Sequence, residues 1–142
     1  MIWTLRIACV SGRYLQAEWI RVVEMDAAST LLDVYNLIQD AVGFDRDHMF
    51  EFFAGRHSRH RSVTFADDEY VDDACGDYED ITLEQIFPLP KSMKLYYHFD
   101  FGDDWYFEIR RARTKPKEPA PRIKYPRVVE AIGPNPRQYG RY

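Results

Sequence analysis

Residues 93–112 read MKLYYHFDFGDDWYFEIRRA, and this stretch decides most of what can be predicted about the fold. On both sides of its centre, large apolar residues alternate with polar ones, a pattern typical of half-buried strands. The centre itself, residues 100–103, contains Gly102, which adopts a positive φ without steric cost. The stretch therefore predicts an antiparallel hairpin with facing apolar residues: Leu95, Tyr97 and Phe99 against Trp105, Phe107 and Ile109.

Upstream of this hairpin, the sequence predicts further strands and one clear helix. Residues 2–10 and 17–25 are rich in β-forming residues and are separated by the turn signal Ser11-Gly12. The helix is predicted from about Thr30 to Val42, with Ser29 or Thr30 as its N-cap and Gly43 as its stop. Its apolar residues recur at helical spacing: Leu31, Val34, Tyr35, Ile38 and Val42.

Shorter elements complete the expected fold. Residues 49–54 and 62–65 predict two short strands, and the capping box Thr82 to Gln85 predicts a short second helix. We therefore expect an α+β fold. It consists of a mixed, mostly antiparallel sheet of five or six strands with one long helix packed on a face, similar to a β-grasp.

The C-terminal part of the chain differs from the rest in composition. The last 29 residues hold six of the eight prolines. Because proline donates no backbone hydrogen bond, this segment is expected to run as extended coil. The sequence thus predicts one α+β domain over residues 1–113 and a basic, proline-rich tail over 114–142, packed on the domain or trailing from it.

Charge and cysteine content exclude several classes of protein. The net charge of −4 argues against a general binder of nucleic acids or membranes. No apolar stretch approaches the ~20 residues of a membrane span. The two cysteines, Cys9 and Cys75, are far apart and suit a reducing compartment. We expect a cytoplasmic protein, with an acidic loop over residues 66–80 and a basic excess from residue 108 onward.

The hairpin turn is the candidate functional cluster. Asp100, Asp103, Asp104 and Trp105 lie around Gly102, and two interpretations apply to them. Aspartates beside a glycine commonly bond their own backbone in a turn. Grouped carboxylates can also hold a divalent cation or exchange protons with a substrate.

No motif assigns a cofactor, a metal site or catalytic residues. The sequence lacks a nucleophile elbow, a phosphate-binding glycine loop and a dinucleotide fingerprint. His57 and His60 have ligand spacing but no second pair, so a solvated basic loop is the simpler interpretation. Separately, five basic residues near the start of the tail are candidate nucleic-acid contacts: Arg110, Arg111, Arg113, Lys115 and Lys117.

Several segments together resemble one family, the plasmid pRiA4b ORF-3-like proteins. The segments that carry the resemblance span almost the whole chain: EWIRVV (18–23), TLLDVYNLIQDAVGF (30–44), HMFEF (48–52), YHFDFGDDW (97–105) and YPRVVE (125–130), followed by Gly133 and Tyr139. The chain departs from many members in having Phe107 where they carry histidine. Residues 133–138 also stand where those members carry an acidic, glycine-rich stretch.

The resemblance implies an α+β fold and attaches no activity. The family occurs in bacteria, archaea, plasmids and some insertion elements, which implies by association a DNA-linked accessory role. From the residues, we favour a non-enzymatic interaction module with a protein partner, because the sequence assembles no catalytic set and its separate acidic and basic segments suit a charged partner. The alternatives are a metal-dependent or acid–base site at the DFGDDW turn and a DNA-associated accessory protein of mobile elements.

Overall fold

The computed structural model of the chain describes residues 1–65 and 78–140. The predicted acidic loop falls mostly on residues 66–77, which with Cys75 lie outside the described residues. In chain order, the elements are β1 (Ile2–Ser11), β2 (Ile20–Asp26), α1 (Leu31–Val42), β3 (Phe50–Gly55), β4 (Val63–Phe65), α2 (Leu83–Ile86), β5 (Lys94–Phe99), β6 (Trp105–Arg111) and β7 (Arg127–Ile132).

The strands form one sheet in the order β4-β3-β5-β6-β1-β2-β7, and every neighbouring pair is antiparallel. The hairpin predicted around residues 100–103 is confirmed as β5 and β6. Its cross-strand pairs join Phe99 with Trp105 and Tyr97 with Phe107. The two strands lie at the middle of the sheet, so the turn between them projects from the sheet's end.

The predicted fold class is wrong in its balance of helix and sheet. In the described residues, seven antiparallel strands replace the expected mixed sheet of five or six, and the helices are short, with 12 residues in α1 and 4 in α2. Over residues 1–65 and 78–140, no long helix packs on a face as in a β-grasp. At 1.5 Å per residue α1 is about 18 Å long, whereas seven strands extend about 29 Å across the sheet. A single three-turn helix cannot cover that width.

The helix itself begins and ends where its sequence predicts. The Thr30 hydroxyl accepts from the Asp33 backbone N–H at 3.2 Å, and Gly43 closes the helix with φ 74°. Leu31, Val34 and Ile38 are fully buried in the core. Within the described residues, no helix combines the length and the apolar character needed to cross a membrane.

The C-terminal segment contributes a strand, which corrects the expectation of coil. β7 pairs with β2 through Ile20–Ile132 to Glu24–Arg127. The strand was not predicted because the tail as a whole is rich in proline. Residues 127–132 themselves contain no proline and include two valines and an isoleucine, which favour a strand. Averaging composition over the whole tail hid a six-residue window that favours a strand.

Side chains alternate between two faces of the sheet. From β5, Leu95, Tyr97 and Phe99 enter the main core. Tyr96 and His98 lie on the opposite face, which we call the outer face. There Tyr96 stacks on Phe53 with ring centroids 5.3 Å apart, and His98 stacks on Tyr106 at 4.1 Å. The outer face is therefore aromatic and polar rather than aliphatic.

Candidate functional site

Asp100 builds the turn between β5 and β6. Its Oδ1 accepts from the backbone N–H groups of Gly102 at 3.0 Å and Asp103 at 3.2 Å. The positive φ expected at Gly102 occurs instead at Asp100 (62°) and Asp104 (52°). Aspartate tolerates this conformation because its short side chain bonds locally. The turn interpretation therefore describes Asp100 well, but the positive φ belongs to Asp100 and Asp104 and not to Gly102.

The three carboxylates of the predicted cluster point to different partners. Asp100 Oδ2 lies 3.3 Å from His48 Nε2, and Asp103 Oδ1 lies 3.3 Å from Arg13 Nη1. Asp104 instead reaches a buried histidine, described below. Among residues 1–65 and 78–140, no three His, Cys, Asp or Glu side chains are grouped so that they could hold a metal ion.

Trp105, the fourth member of the predicted cluster, is a core residue. Its side chain is fully buried and packs edge-on against Phe44, with ring centroids 4.8 Å apart. Gly12 lies flat against its ring, where a Cβ would approach Cε3 to 2.1 Å. Trp105 therefore anchors the turn from inside the sheet and offers no surface to a ligand.

A buried histidine on the outer face links two carboxylates. His98 is 5% exposed, with Nε2 2.8 Å from Asp104 Oδ1 and Nδ1 3.1 Å from Glu51 Oε1. Arg61 also donates through Nε to Glu51 Oε1 at 2.8 Å. Burial would raise the pKa of the Glu51 carboxyl, but the hydrogen bonds from His98 and Arg61 outweigh it and lower the pKa. A protonated imidazole can donate to both carboxylates at once.

A second histidine lies on the other side of the turn. His48 Nε2 is 3.2 Å from the Tyr139 hydroxyl, which itself donates a hydrogen bond to Asp47. That bond, together with burial, raises the pKa of the Tyr139 phenol above its usual range. This cluster ties the C-terminal segment to the turn through Asp100.

The five candidate nucleic-acid contacts do not form one free cationic patch. Arg110 pairs with Glu108, Arg111 lies 3.9 Å over the Trp3 ring, and Lys117 pairs with Glu24. Arg113 and Lys115 are exposed. Two of the five cations are thus paired with carboxylates and a third packs on an aromatic ring, which leaves less unpaired positive charge for phosphate contacts than the sequence indicates.

The edge strand β7 is a feature that the sequence did not predict. All six of its residues are exposed, and Val128, Val129 and Ile132 are 43%, 47% and 39% exposed. In the part of the chain that the structure describes, no strand pairs with its outer side. Such an edge leaves backbone donors and acceptors unpaired.

A groove runs beside this strand. The segment 124–128 and α1 enclose about 610 Å³ between them. The apolar part of its lining comes from α1 and from the facing segment: Leu37, Ala41, Tyr125, Pro126 and Val128. Its charged groups are acidic along the helix (Asp33 and Asp40) and basic on the facing segment (Lys124 and Arg127). One wall of the groove is therefore a helix, and the other is the segment 124–128, which leads into β7.

Sequence reasoning missed His98, Glu51 and β7 for identifiable reasons. His98 and Glu51 lie on neighbouring strands, β5 and β3, and only the sheet register places them opposite each other. A histidine alternating with core aromatics in YYHF was the available signal, because it marks a polar residue on the second face of a buried strand. For β7 the signal was the proline-free window 127–132.

Comparison with known proteins agrees with this fold. A solved protein of unknown function from Methanosarcina mazei Go1 is similar, with a TM-score of 0.73 and 18% identity. The similarity covers 92% of this chain and 68% of the other. No curated protein gives a significant match. Residues 10–138 match the family described as plasmid pRiA4b ORF-3-like protein, and the chain therefore belongs to that family.

Proposed function

We propose that this protein is a non-enzymatic interaction module that binds an extended segment of a protein partner along β7. One observation carries the proposal: β7 is an edge strand with six exposed residues and, in the described residues, an unpaired outer side. Unpaired N–H and C=O groups on a strand edge accept an added strand, a common mode of peptide recognition.

The groove beside α1 supplies the specificity that backbone pairing lacks. Side chains of an added strand alternate between the two faces of the sheet. Those on the helix side would enter the groove lined by Leu37, Ala41 and Val128. Small aliphatic side chains fit this lining best, so the partner segment is expected to alternate aliphatic residues with polar ones.

A protein partner suits this surface better than DNA. Val128, Val129 and Ile132 expose aliphatic side chains, which protein interfaces bury at their centre. DNA interfaces are instead polar and strongly positive. Since Arg110 and Lys117 are held in ion pairs with Glu108 and Glu24, the basic segment supports DNA association only weakly.

Site-specific photocrosslinking in cells of the source organism tests the proposal. A benzoylphenylalanine is placed at Val129 on β7, at Phe101 in the turn, and at Arg59 near the opposite edge strand β4. All three side chains are exposed. We expect a protein adduct from position 129 and none from position 59, which serves as the matched control.

Two results would overturn this proposal. Adducts from position 101 but not from 129 would move binding to the turn. Absence of protein adducts from every position, or adducts to nucleic acid alone, would remove the β7 module. The mass of an adduct at 129 also distinguishes a second copy of this 16.9 kDa chain from another protein.

A second candidate function, acid–base chemistry, is favoured by one observation at His98. Its imidazole connects the mostly buried Glu51 to Asp104, whose side chain is 56% exposed. A proton could pass from Glu51 through His98 and Asp104 to a substrate at the surface. A screen of ester and phosphoester substrates, with Asp104→Asn as the matched variant, tests it. Turnover that Asp104→Asn leaves unchanged, or no turnover in any assay, contradicts this function.

A further inference from the structure

We propose that the strand added to β7 is β7 of a second copy of this chain, so that the protein forms a two-fold dimer through its sheet edge. This inference rests on the proposed function and names its partner. The two seven-stranded sheets would join into one continuous antiparallel sheet of fourteen strands.

The sequence of β7 is complementary to itself when two copies run antiparallel. Residues 127–130 read Arg-Val-Val-Glu. With a two-fold axis between Val128 and Val129, Arg127 of each copy stands opposite Glu130 of the other, and the valines oppose each other. Opposite charges and β-branched residues on facing positions both stabilise a strand pair. An isologous interface requires this kind of self-complementarity.

A β-bulge makes this register geometrically possible. β2 and β7 pair regularly from Ile20–Ile132 to Val22–Glu130, but Val23 then pairs with Val128, so Val129 is an extra residue in β7. Residues three apart normally lie on opposite faces of a strand. Because of the extra residue, Arg127 and Glu130 stand opposite Glu24 and Val22, which share one face. The two charges can therefore meet across the axis.

The side chains that would meet are accessible. Arg127 remains 41% exposed while it donates to Glu24, so its guanidinium has room for a second carboxylate. Glu130 is exposed. Val128 and Val129 expose nearly half of their surface, which the facing valines would cover.

Shifted registers are less favourable, which gives the pairing its specificity. An axis at Arg127 opposes two arginines, and an axis at Glu130 opposes two glutamates. Like charges directly opposite each other destabilise a strand pair. An axis at Val128 or Val129 opposes no like charges but loses both Arg–Glu contacts, so the charge-matched register is the one expected for β7.

Charge exchange tests the dimer in purified full-length chains. Analytical ultracentrifugation of the wild type should show a monomer–dimer equilibrium with a dissociation constant on the order of 10–100 μM, as expected for a small interface. Glu130→Arg places two arginine pairs across the axis and should weaken the dimer by about tenfold or more. Glu79→Arg, an equal charge change on an exposed turn residue outside β7, should leave it unchanged.

Mixing two variants provides the rescue. Glu130→Arg and Arg127→Glu each oppose like charges alone, but a mixed pair restores both Arg–Glu contacts. The mixture should therefore form heterodimers more tightly than either variant forms dimers. Because Arg127 also holds Glu24, thermal melts check that the Arg127→Glu chain is folded. Hydrogen exchange of wild-type amides 127–132, which should slow as concentration rises, gives a measure that needs no variant.

Each contrary result has a defined meaning. A wild type that stays monomeric up to about 1 mM overturns the dimer. If Glu130→Arg does not weaken the dimer, the interface lies elsewhere and the β7 dimer is overturned. The same conclusion follows if the hydrogen exchange of amides 127–132 does not depend on concentration. In these cases, adducts from position 129 to a different protein would still support the proposed function. Loss of all such adducts would remove that function as well.

Discussion

Arg127 on β7 donates to the carboxylate of Glu24 on β2, with Nη2 2.6 Å from Oε1. Lys117, from the segment that connects β6 to β7, binds the other carboxylate oxygen. The Glu24 side chain is 8% exposed, so one buried carboxylate holds two points of the C-terminal segment. This contact and the β2–β7 ladder fix the edge on which the proposed interactions depend.

Glu24→Gln should loosen this attachment. The amide keeps the size of the side chain but removes the charge, and both cations are about half exposed, so solvent compensates part of the loss. We expect a loss of about 1–2 kcal/mol in the free energy of unfolding, measured by urea denaturation. Glu79→Gln, at an exposed turn position, is the control and should cost less than about 0.5 kcal/mol. Equal effects of the two changes would contradict this role for Glu24.

The contribution of Glu24 should also depend on pH. The hydrogen bond from Lys117, and to a lesser degree Arg127, lowers the pKa of the Glu24 carboxyl despite its burial. A carboxyl with a lowered folded-state pKa stabilises the protein fully above its unfolded pKa, about 4.3, and loses this effect as pH falls through the folded value. The stability difference between wild type and Glu24→Gln should be constant above about pH 5.5 and shrink below about pH 4. A constant difference down to pH 3, by urea denaturation, would refute this.

Gly12 should be the glycine that the fold tolerates least near the turn. A Cβ there would lie 2.1 Å from Cε3 of Trp105, whose ring is fully buried in the core. We expect Gly12→Ala to cost roughly 1–3 kcal/mol, since overpacking forces side chains from their preferred rotamers. Gly102→Ala is the matched control. There the nearest atom is Asp100 Oδ1 at 3.4 Å, and stability should stay equal or rise slightly. Denaturant midpoints in the reverse order would show that the ring can move.

Three substitutions at Asp100 should separate its two roles. Asp100→Asn keeps an Oδ1 acceptor and tolerates the positive φ of 62°, so it should cost little. Asp100→Ala loses the acceptor and strains the backbone, a cost of about 2–3 kcal/mol. Asp100→Gly relieves the backbone strain but still lacks the Oδ1 hydrogen bonds, so its stability should fall between those of the other two variants. Thermal melts rank the three proteins, and an alanine variant as stable as the asparagine variant would show that Oδ1 is not needed.

The sequence by itself determined the local elements. The alternation of Leu95, Tyr97 and Phe99 requires a strand with one buried face, and the stripe on α1 requires a helix, because each element must bury its apolar side. Thr30 and Gly43 define the ends of α1 because free backbone groups need a hydroxyl acceptor or a left-handed residue at those positions. These signals lie within a few residues of the structure they predict.

Only the tertiary structure decided three further features: the number of strands in the sheet, the conformation of the C-terminal segment, and which side chains meet at the candidate site. β7 forms because β2 offers it a ladder, and its two valines gain nothing as a strand in isolation. Asp100, Asp103 and Asp104 are neighbours in sequence, but the positive φ angles at both ends of the turn direct them to His48, Arg13 and His98. Those partners come from distant or neighbouring strands and loops, because sheet register, unlike helix periodicity, joins residues whose separation in sequence is arbitrary.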